Sequence, residues 1–219
     1  MAKSLVIVES PAKARTIKRY LGKGFEVEAT MGHIKDLPKS KLGIEIEQGF
    51  TPSYKVIPDK RDVVKKIKSR ADKADIVFLA SDPDREGEAI AWHVAEEIRK
   101  PDTAVRRITF HEITKKAIEE ALKNPKGLNR PLYDAQMARR SMDRIVGYTM
   151  SPLLWKKVKR GLSGGRVQSV ALRLICMRQE EIEAFQSREY WTVEAQLTTT
   201  TGDRSEERRV GKECRSRWS

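Results

Sequence analysis

The sequence lacks any run of 18 apolar residues, so a membrane-spanning helix is excluded. It has two cysteines, Cys176 and Cys214, too few for a disulfide framework or a zinc site, and this fits a reducing, cytoplasmic setting. It shows no signal-peptide layout, because Met1-Ala2-Lys3-Ser4-Leu5 leads straight into a strand-like run. It has no internal repeat, and no Gly-x4-Gly-Lys-Ser/Thr loop of the Walker A type. What it has is charge. Forty-four basic and 31 acidic residues leave +13 over 219 residues. That balance favours a polyanionic partner, although ribosomal or membrane-surface binding would give the same number. Apolar residues make up 39%, enough for a core in one or two domains.

Residues 204–219 (RSEERRVGKECRSRWS) carry neither a helical nor a strand period. They resemble an in-frame translation of a common sequencing adapter, and are set aside as one sets aside a vector scar, in preference to a natural basic tail. Removing their net +3 leaves +10, still basic, and takes Cys214 with it. The natural sequence is expected to continue past Asp203.

Residues 81–88 read Ser-Asp-Pro-Asp-Arg-Glu-Gly-Glu, so Asp82, Asp84, Glu86 and Glu88 fall within seven residues. An apolar run at 76–80 precedes them and a helical period (Ile90, Val94, Ile98) follows. The acids therefore lie where a strand ends and a helix begins, the sheet edge at which open α/β folds place their sites. A second unit of this kind opens the chain. Leu5-Val6-Ile7-Val8 ends in Glu9, Ser10 can cap a helix with Pro11 at its first position, and Ala14, Ile17 and Leu21 repeat at helical spacing.

Between these units, Phe25, Val27, Ala29 and Met31 alternate as a half-buried strand does. Residues 32–38 read as a loop, 44–46 as a short strand, and 60–71 as a helix with Val63, Val64 and Ile67 on one side. Residues 107–110 are a strand candidate, and Thr114 can cap a helix carrying Ala117, Ile118 and Leu122. Strands alternating with helices predict an α/β domain with a parallel, Rossmann-like sheet over residues 1–127. After that only helices are expected. One runs over 131–148 with Leu132, Ala135, Met142 and Ile145 buried; a second runs from Ser151-Pro152 to about Lys159; a third runs from Val167 to about Ala184. A glycine-rich loop at 161–165 separates the last two. The helical domain takes 128–189, and alternation over 190–197 opens a further β-containing domain over 190–203.

Carboxylates with no cysteine nearby suit a hard cation, Mg²⁺ above all, completed by water and substrate phosphate. If the two strands are neighbours, Glu9 joins Asp82 and Asp84 in a metal site, with Glu86 as a ligand or a support. The plain alternative for Asp-x-Asp is a capped helix N-terminus, and Glu88 is left to that reading as an exposed helical acid. Lys13, in the first turn after Glu9, can hold a phosphate with the helix N–H groups, or be a solvated lysine. His33 is the best functional histidine, as a phosphate contact or proton donor, while His93 reads as structural and His111 is undecided.

In the helical half, Arg139, Arg140, Asp143, Arg144 and Tyr148 share one helix, and Trp155 follows. Cations with interleaved rings suit single-stranded DNA. The alternative is a charged face with Arg139 paired to Asp143 and both rings in the core. Ser163, Gly164, Gly165, Arg166, Val167 and Gln168 form a glycine-led approach to a helix that lets N–H groups meet a phosphate, or a simple capped loop.

Residues 5–15 (LVIVESPAKAR), 32–38 (GHIKDLP), 81–93 (SDPDREGEAIAWH) and 163–172 (SGGRVQSVAL) together resemble the bacterial type IA DNA topoisomerases, the first and third marking a Toprim domain. The resemblance runs over residues 1 to about 203. It implies single-strand cleavage by a tyrosine without ATP, a 5′-phosphotyrosyl intermediate, strand passage and resealing, which relaxes negatively supercoiled DNA. It implies Mg²⁺ on Glu9, Asp82 and Asp84, with Glu86 in the catalytic group. It makes Glu9 a proton carrier for the leaving 3′-oxygen, and Lys13 and Arg107 phosphate stabilisers. It assigns Arg139, Arg140, Asp143, Tyr148, Trp155 and residues 163–168 to the strand being cut, with His33 beside them. The expected partner is single-stranded or underwound DNA, with no membrane, in a monomer of the cytoplasm associated with the nucleoid. The family's nucleophilic tyrosine sits beside an Arg-Thr-Asp-Ser-like motif that this sequence does not contain, so the chain alone is expected to be inactive. Two other functions remain. A Toprim nuclease or primase-like enzyme would act through metal alone, and a non-catalytic single-strand-binding module would ignore Mg²⁺.

Overall fold

The structure, a computed structural model, describes residues 4–98, 103–187 and 189, with two short strands at 194–195 and 208–209. It divides into two units, Met1–Arg166 and Val167–Ser219. The first unit begins with β1 (Ser4–Val8), α1 (Pro11–Tyr20) and β2 (Phe25–Ala29). Short strands β3 (Lys35–Asp36), β4 (Ile44–Glu45), β5 (Thr51–Pro52) and β6 (Lys55–Val56) follow. Then come α2 (Arg61–Ala71), β7 (Ile76–Leu79), α3 (Arg85–Glu97), β8 (Ala104–Arg107), α4 (Lys115–Lys123) and α5 (Arg130–Lys157).

Four strands form one sheet in the order β2-β1-β7-β8, every pair parallel. Alternation along each strand sends its side chains to two different cores. Leu5, Ile7, Val77 and Leu79 pack with Val64 and Ile67 of α2 and Ile90 and Val94 of α3. Val6, Val8, Phe78 and Ala80 pack with Ile17 of α1 and with Ile108 and Ile118. Both faces of the sheet are thus covered, as the near-continuous apolar runs of β1 and β7 require. The expected α/β class with a Rossmann-like parallel sheet holds. From β1 the chain moves outward to β2, then returns to the other side of β1 as β7. The strand order therefore reverses between β1 and β7, and a crevice opens at their carboxyl ends.

Ser10 caps α1, its side chain accepting from the Lys13 N–H at 3.3 Å, with Pro11 at the first position. Asp84 caps α3 and Thr114 caps α4 in the same manner. The strand expected at 107–110 lies earlier, at Ala104–Arg107, because pairing with β7 ends at Leu79 opposite Arg107. Part of the 32–38 loop is a strand, since Lys35 and Asp36 pair antiparallel with Val56 and Lys55.

Helix α5 corrects two expectations. It is continuous through Pro152, where a break was expected. The returning segment holds the turns beyond the proline in line. Trp155 donates its indole N–H to Leu162 O at 2.6 Å, and Gly164 lies close enough to Met150 and Leu154 that an added Cβ would touch both. Its buried residues are also not the apolar stripe. Tyr133, Gln136 and Ser141 are buried, whereas Leu132 is 36% and Met142 47% exposed. The helix docks on α3 and the 33–42 loop through rings and hydrogen bonds, so its apolar period marks the wrong side.

In the second unit, α6 (Arg166–Glu183, whose first residue closes the first unit) has no buried residue. A two-stranded pair, β9 (Glu194–Ala195) with β10 (Arg208–Arg209), is antiparallel. The remainder of the alternating stretch at 190–197 lies outside the described residues. Among the described residues no helix is long and apolar enough to cross a membrane.

Candidate catalytic centre and nucleic-acid cleft

Glu9 follows β1 and Asp82 follows β7, so the switch between the two strands brings them together. Glu9 Oε1 accepts from the backbone N–H of Asp82 at 2.7 Å. Lys13 Nζ lies 2.5 Å from Asp82 Oδ1 and 3.5 Å from Glu9 Oε2, and so bridges the two carboxylates. Partial burial lowers the Lys13 pKa, but the hydrogen bond to Asp82 and the charge of Glu9 outweigh it and the net shift is upward. Asp84 turns the other way, its Oδ1 taking the Gly87 N–H at 2.7 Å. Gly87 is where the turn and Glu9 close on each other. A Cβ there would collide with the Asp82 carbonyl and stand 2.9 Å from Glu9 Oε1.

Glu86 points into the neighbouring cleft, where its Oε2 lies 3.1 Å from His33 Nε2 and 3.3 Å from the Gln136 amide nitrogen. His33 is held there by the strand that follows it. Lys35 reaches Glu96 and Glu97 of α3, both at 2.9 Å. Burial lowers the Lys35 pKa, and its hydrogen bonds to Glu97 and Glu96 more than reverse this.

The cleft holds about 310 Å³ and is lined by His33, Tyr54, Glu86, His93, Gln136, Arg139, Arg140 and Asp143, among others. Several of its polar atoms have no partner among the described residues: both ring nitrogens of His93, the Tyr54 hydroxyl and Gln136 Oε1. His93 is 1% exposed, and burial pushes its pKa down to about 4, so it is neutral at pH 7. Burial, followed by the influence of Tyr133, pushes the Tyr54 phenol up to about 12.

The cations of α5 are less free than their spacing implies. Arg140 Nη2 lies 2.7 Å from each oxygen of Asp36. Arg144 donates to the carbonyls of Pro38, Lys41 and Leu42, and its guanidinium lies 4.2 Å from the Tyr148 ring centroid. Tyr148 donates to Lys39 O at 2.7 Å. These residues fix the 38–42 loop. Asp143 takes Arg166 at 2.7 Å and sits 3.8 Å from Arg139. Trp155 and Tyr148 are 48% and 37% exposed, so neither ring is in the core. Ser163, Gly164 and Gly165 lead up to Arg166, with Gly164 N–H donating to Ser151 at 3.3 Å; Val167 and Gln168 belong to the second unit.

Comparison with known proteins places both halves of the chain. A family model described as Toprim domain matches residues 4–113, and one described as DNA topoisomerase matches 127–217. The solved structure of full-length topoisomerase I from Thermotoga maritima, in a monoclinic crystal form, is 49% identical, with a TM-score of 0.75, over 87% of this chain. The chain belongs to the bacterial type IA DNA topoisomerases. It spans 32% of that relative's length.

Arg107, which the resemblance makes a phosphate stabiliser, and Glu88, expected as an exposed helical acid, are both buried. Arg107 is 2% exposed and faces inward. Its guanidinium donates to the carbonyls of Leu79, Ser81, Asp82 and Ile108, and to Glu88 at 3.0 Å. It therefore braces the acidic turn from beneath and does not face the cleft. Glu88, expected as an exposed acid, is 3% exposed and also accepts from the Asn129 N–H at 2.6 Å, the capping residue of α5. One signal was available. Consecutive Arg106 and Arg107 on a strand point to opposite faces, so one of them needs a buried acid. Asp36, Tyr54 and Gln136 gave no such signal, since their roles depend on how α5 docks.

The donor set suits a hard cation, because Glu9 and Asp82 already share one positive charge, the Lys13 ammonium. Among the described residues no three acidic, histidine or cysteine side chains converge as a ready-made ligand set.

Proposed function

We propose that the chain supplies the metal-binding and strand-binding part of a type IA topoisomerase that relaxes negatively supercoiled DNA without ATP. The observation that carries this reading is the meeting of Glu9, Asp82 and Lys13 at the β1/β7 switch, beside a cleft lined with arginine. Glu9, Asp82 and Asp84 would hold Mg²⁺. The ion would offset negative charge developing on the phosphate.

The chain's own residues have distinct tasks. Lys13 binds the scissile phosphate as a point charge. Glu9 takes up the proton that the attacking tyrosine hydroxyl releases as its oxygen–phosphorus bond forms, and passes it to the 3′-oxygen as the phosphorus–3′-oxygen bond breaks; resealing runs the same transfer in reverse. Glu86 fixes His33 at the cleft wall, where the imidazole meets the backbone of the incoming strand. Arg139 and Arg166, which flank Asp143, track the phosphates, while the exposed rings of Tyr148 and Trp155 stack on bases. Residues 163–166 follow the same strand. The partner is single-stranded or underwound DNA, bound by one copy of the chain.

The attacking tyrosine is not assigned here. Tyr54 and Tyr133 are held in the packing around His93, and Tyr148 braces a loop. Because the sequence lacks the Arg-Thr-Asp-Ser-like motif beside which the family's tyrosine sits, the chain alone is expected neither to relax supercoiled plasmid nor to form a covalent adduct with a single-stranded oligonucleotide in Mg²⁺. Relaxation or an adduct would overturn this assignment. Strand cleavage or primer synthesis without an adduct would support a Toprim nuclease or primase instead.

A further inference from the structure

We infer that the Lys13 ammonium and the divalent metal exchange for the same two carboxylates, so that metal and DNA bind this site cooperatively. This rests on the metal site proposed above. Lys13 Nζ occupies the gap between Asp82 Oδ1 (2.5 Å) and Glu9 Oε2 (3.5 Å). A magnesium ion bonds carboxylate oxygen at about 2.0–2.1 Å in a near-octahedral shell. It cannot share Asp82 Oδ1 and Glu9 Oε2 with an ammonium already seated between them, and two cations on one oxygen repel.

The geometry also gives the ammonium a way out. Glu9 is anchored by the Asp82 N–H, and its side chain is 18% exposed. The Asp82 side chain is 48% exposed, and Lys13 reaches it on a flexible four-carbon stem from the first turn of α1. A change of lysine rotamer clears the gap without moving the backbone. Without DNA, the displaced ammonium loses two anionic partners and faces water. With DNA it gains a phosphate. The free ammonium thus competes with the metal, and a phosphate removes the competitor. By linkage, whatever factor DNA adds to metal affinity, metal adds to DNA affinity.

The test is Mn²⁺ binding, read by electron paramagnetic resonance on the 219-residue chain with and without a short single-stranded oligonucleotide. DNA is expected to tighten Mn²⁺ about 5- to 10-fold in the wild type, a coupling of ordinary size. Lys13→Met is expected to bind Mn²⁺ about 5- to 10-fold tighter without DNA, and to gain less than about two-fold from DNA. Lys13→Arg keeps the charge and is expected to bind no tighter than wild type. Lys18→Met removes the same charge from the exposed side of α1 and is expected to stay within about two-fold. The exchange is overturned if Lys13→Met binds no tighter than wild type, if DNA tightens Mn²⁺ equally in both, or if Lys18→Met matches Lys13→Met. An Asp82→Asn arm separates the two layers. Undiminished Mn²⁺ binding there contradicts the metal site itself. Lost binding there, with no tightening in Lys13→Met, contradicts the exchange alone.

Discussion

A Cβ added at Gly87 would meet the Asp82 backbone and the Glu9 carboxylate, so the acidic turn tolerates only glycine at this position. Gly87→Ala is expected to cost about 1–3 kcal/mol, as overpacking does, and to weaken divalent-metal binding at least ~10-fold. Urea denaturation and Mn²⁺ titration check the two effects. Arg107→Met takes the buried Glu88 away from its ion-pair partner and leaves it only the Asn129 N–H, which is expected to cost about 3–5 kcal/mol in the same denaturation experiment. His93 gives a pH dependence. Its folded pKa of about 4 lies below the unfolded value, so between about pH 6.5 and pH 4 the unfolded chain takes up a proton that the folded chain refuses. Stability from neutral His93 is present above pH 6.5 and falls as pH drops toward 4, by up to about 3 kcal/mol. Denaturation at pH 7 and pH 4.5 should show the loss in the wild type and a smaller one in His93→Gln. At this scale the sequence exposed the acids and Lys13, because their spacing to strand and helix is local. It hid Glu88, whose partners come from β8 and the start of α5.

Among the elements, β1 with α1 and β7 with α3 were readable because each carries an apolar run, a cap and a helical period in immediate succession. Their adjacency in the sheet, on which the site depends, follows from pairing that no local signal encodes. Helix α5 was misread on both its face and its length. It docks through Arg140 on Asp36, Arg144 on loop carbonyls and Tyr133 stacked on Trp92 at 4.6 Å, so polar and aromatic positions replace the apolar stripe. The Arg140 pair is two-fifths exposed on both sides, and its worth is limited accordingly. A double-mutant cycle on Asp36→Ala and Arg140→Ala is expected to give a coupling of about 0.5–1 kcal/mol. A coupling near zero would show that the 38–42 loop is held by Arg144 and Tyr148 alone.

On the scale of the whole chain, the charge of +13 and the arginine-lined cleft point to strong electrostatic binding. Affinity for a single-stranded oligonucleotide is expected to fall about 10- to 100-fold between 50 and 200 mM salt, with log affinity linear in log salt. Family membership was legible from the motifs and is matched by the models across both halves of the chain. The central claim is that the acidic turn and the cleft act together on one strand. The most direct measurement is fluorescence anisotropy of a labelled single-stranded oligonucleotide, in Mg²⁺ and in EDTA, with the wild type and with Asp82→Ala/Asp84→Ala. The account predicts that Mg²⁺ tightens binding about 5- to 10-fold in the wild type and not at all in the double variant. Equal affinity in all four conditions would contradict it and leave a strand-binding module with no metal centre.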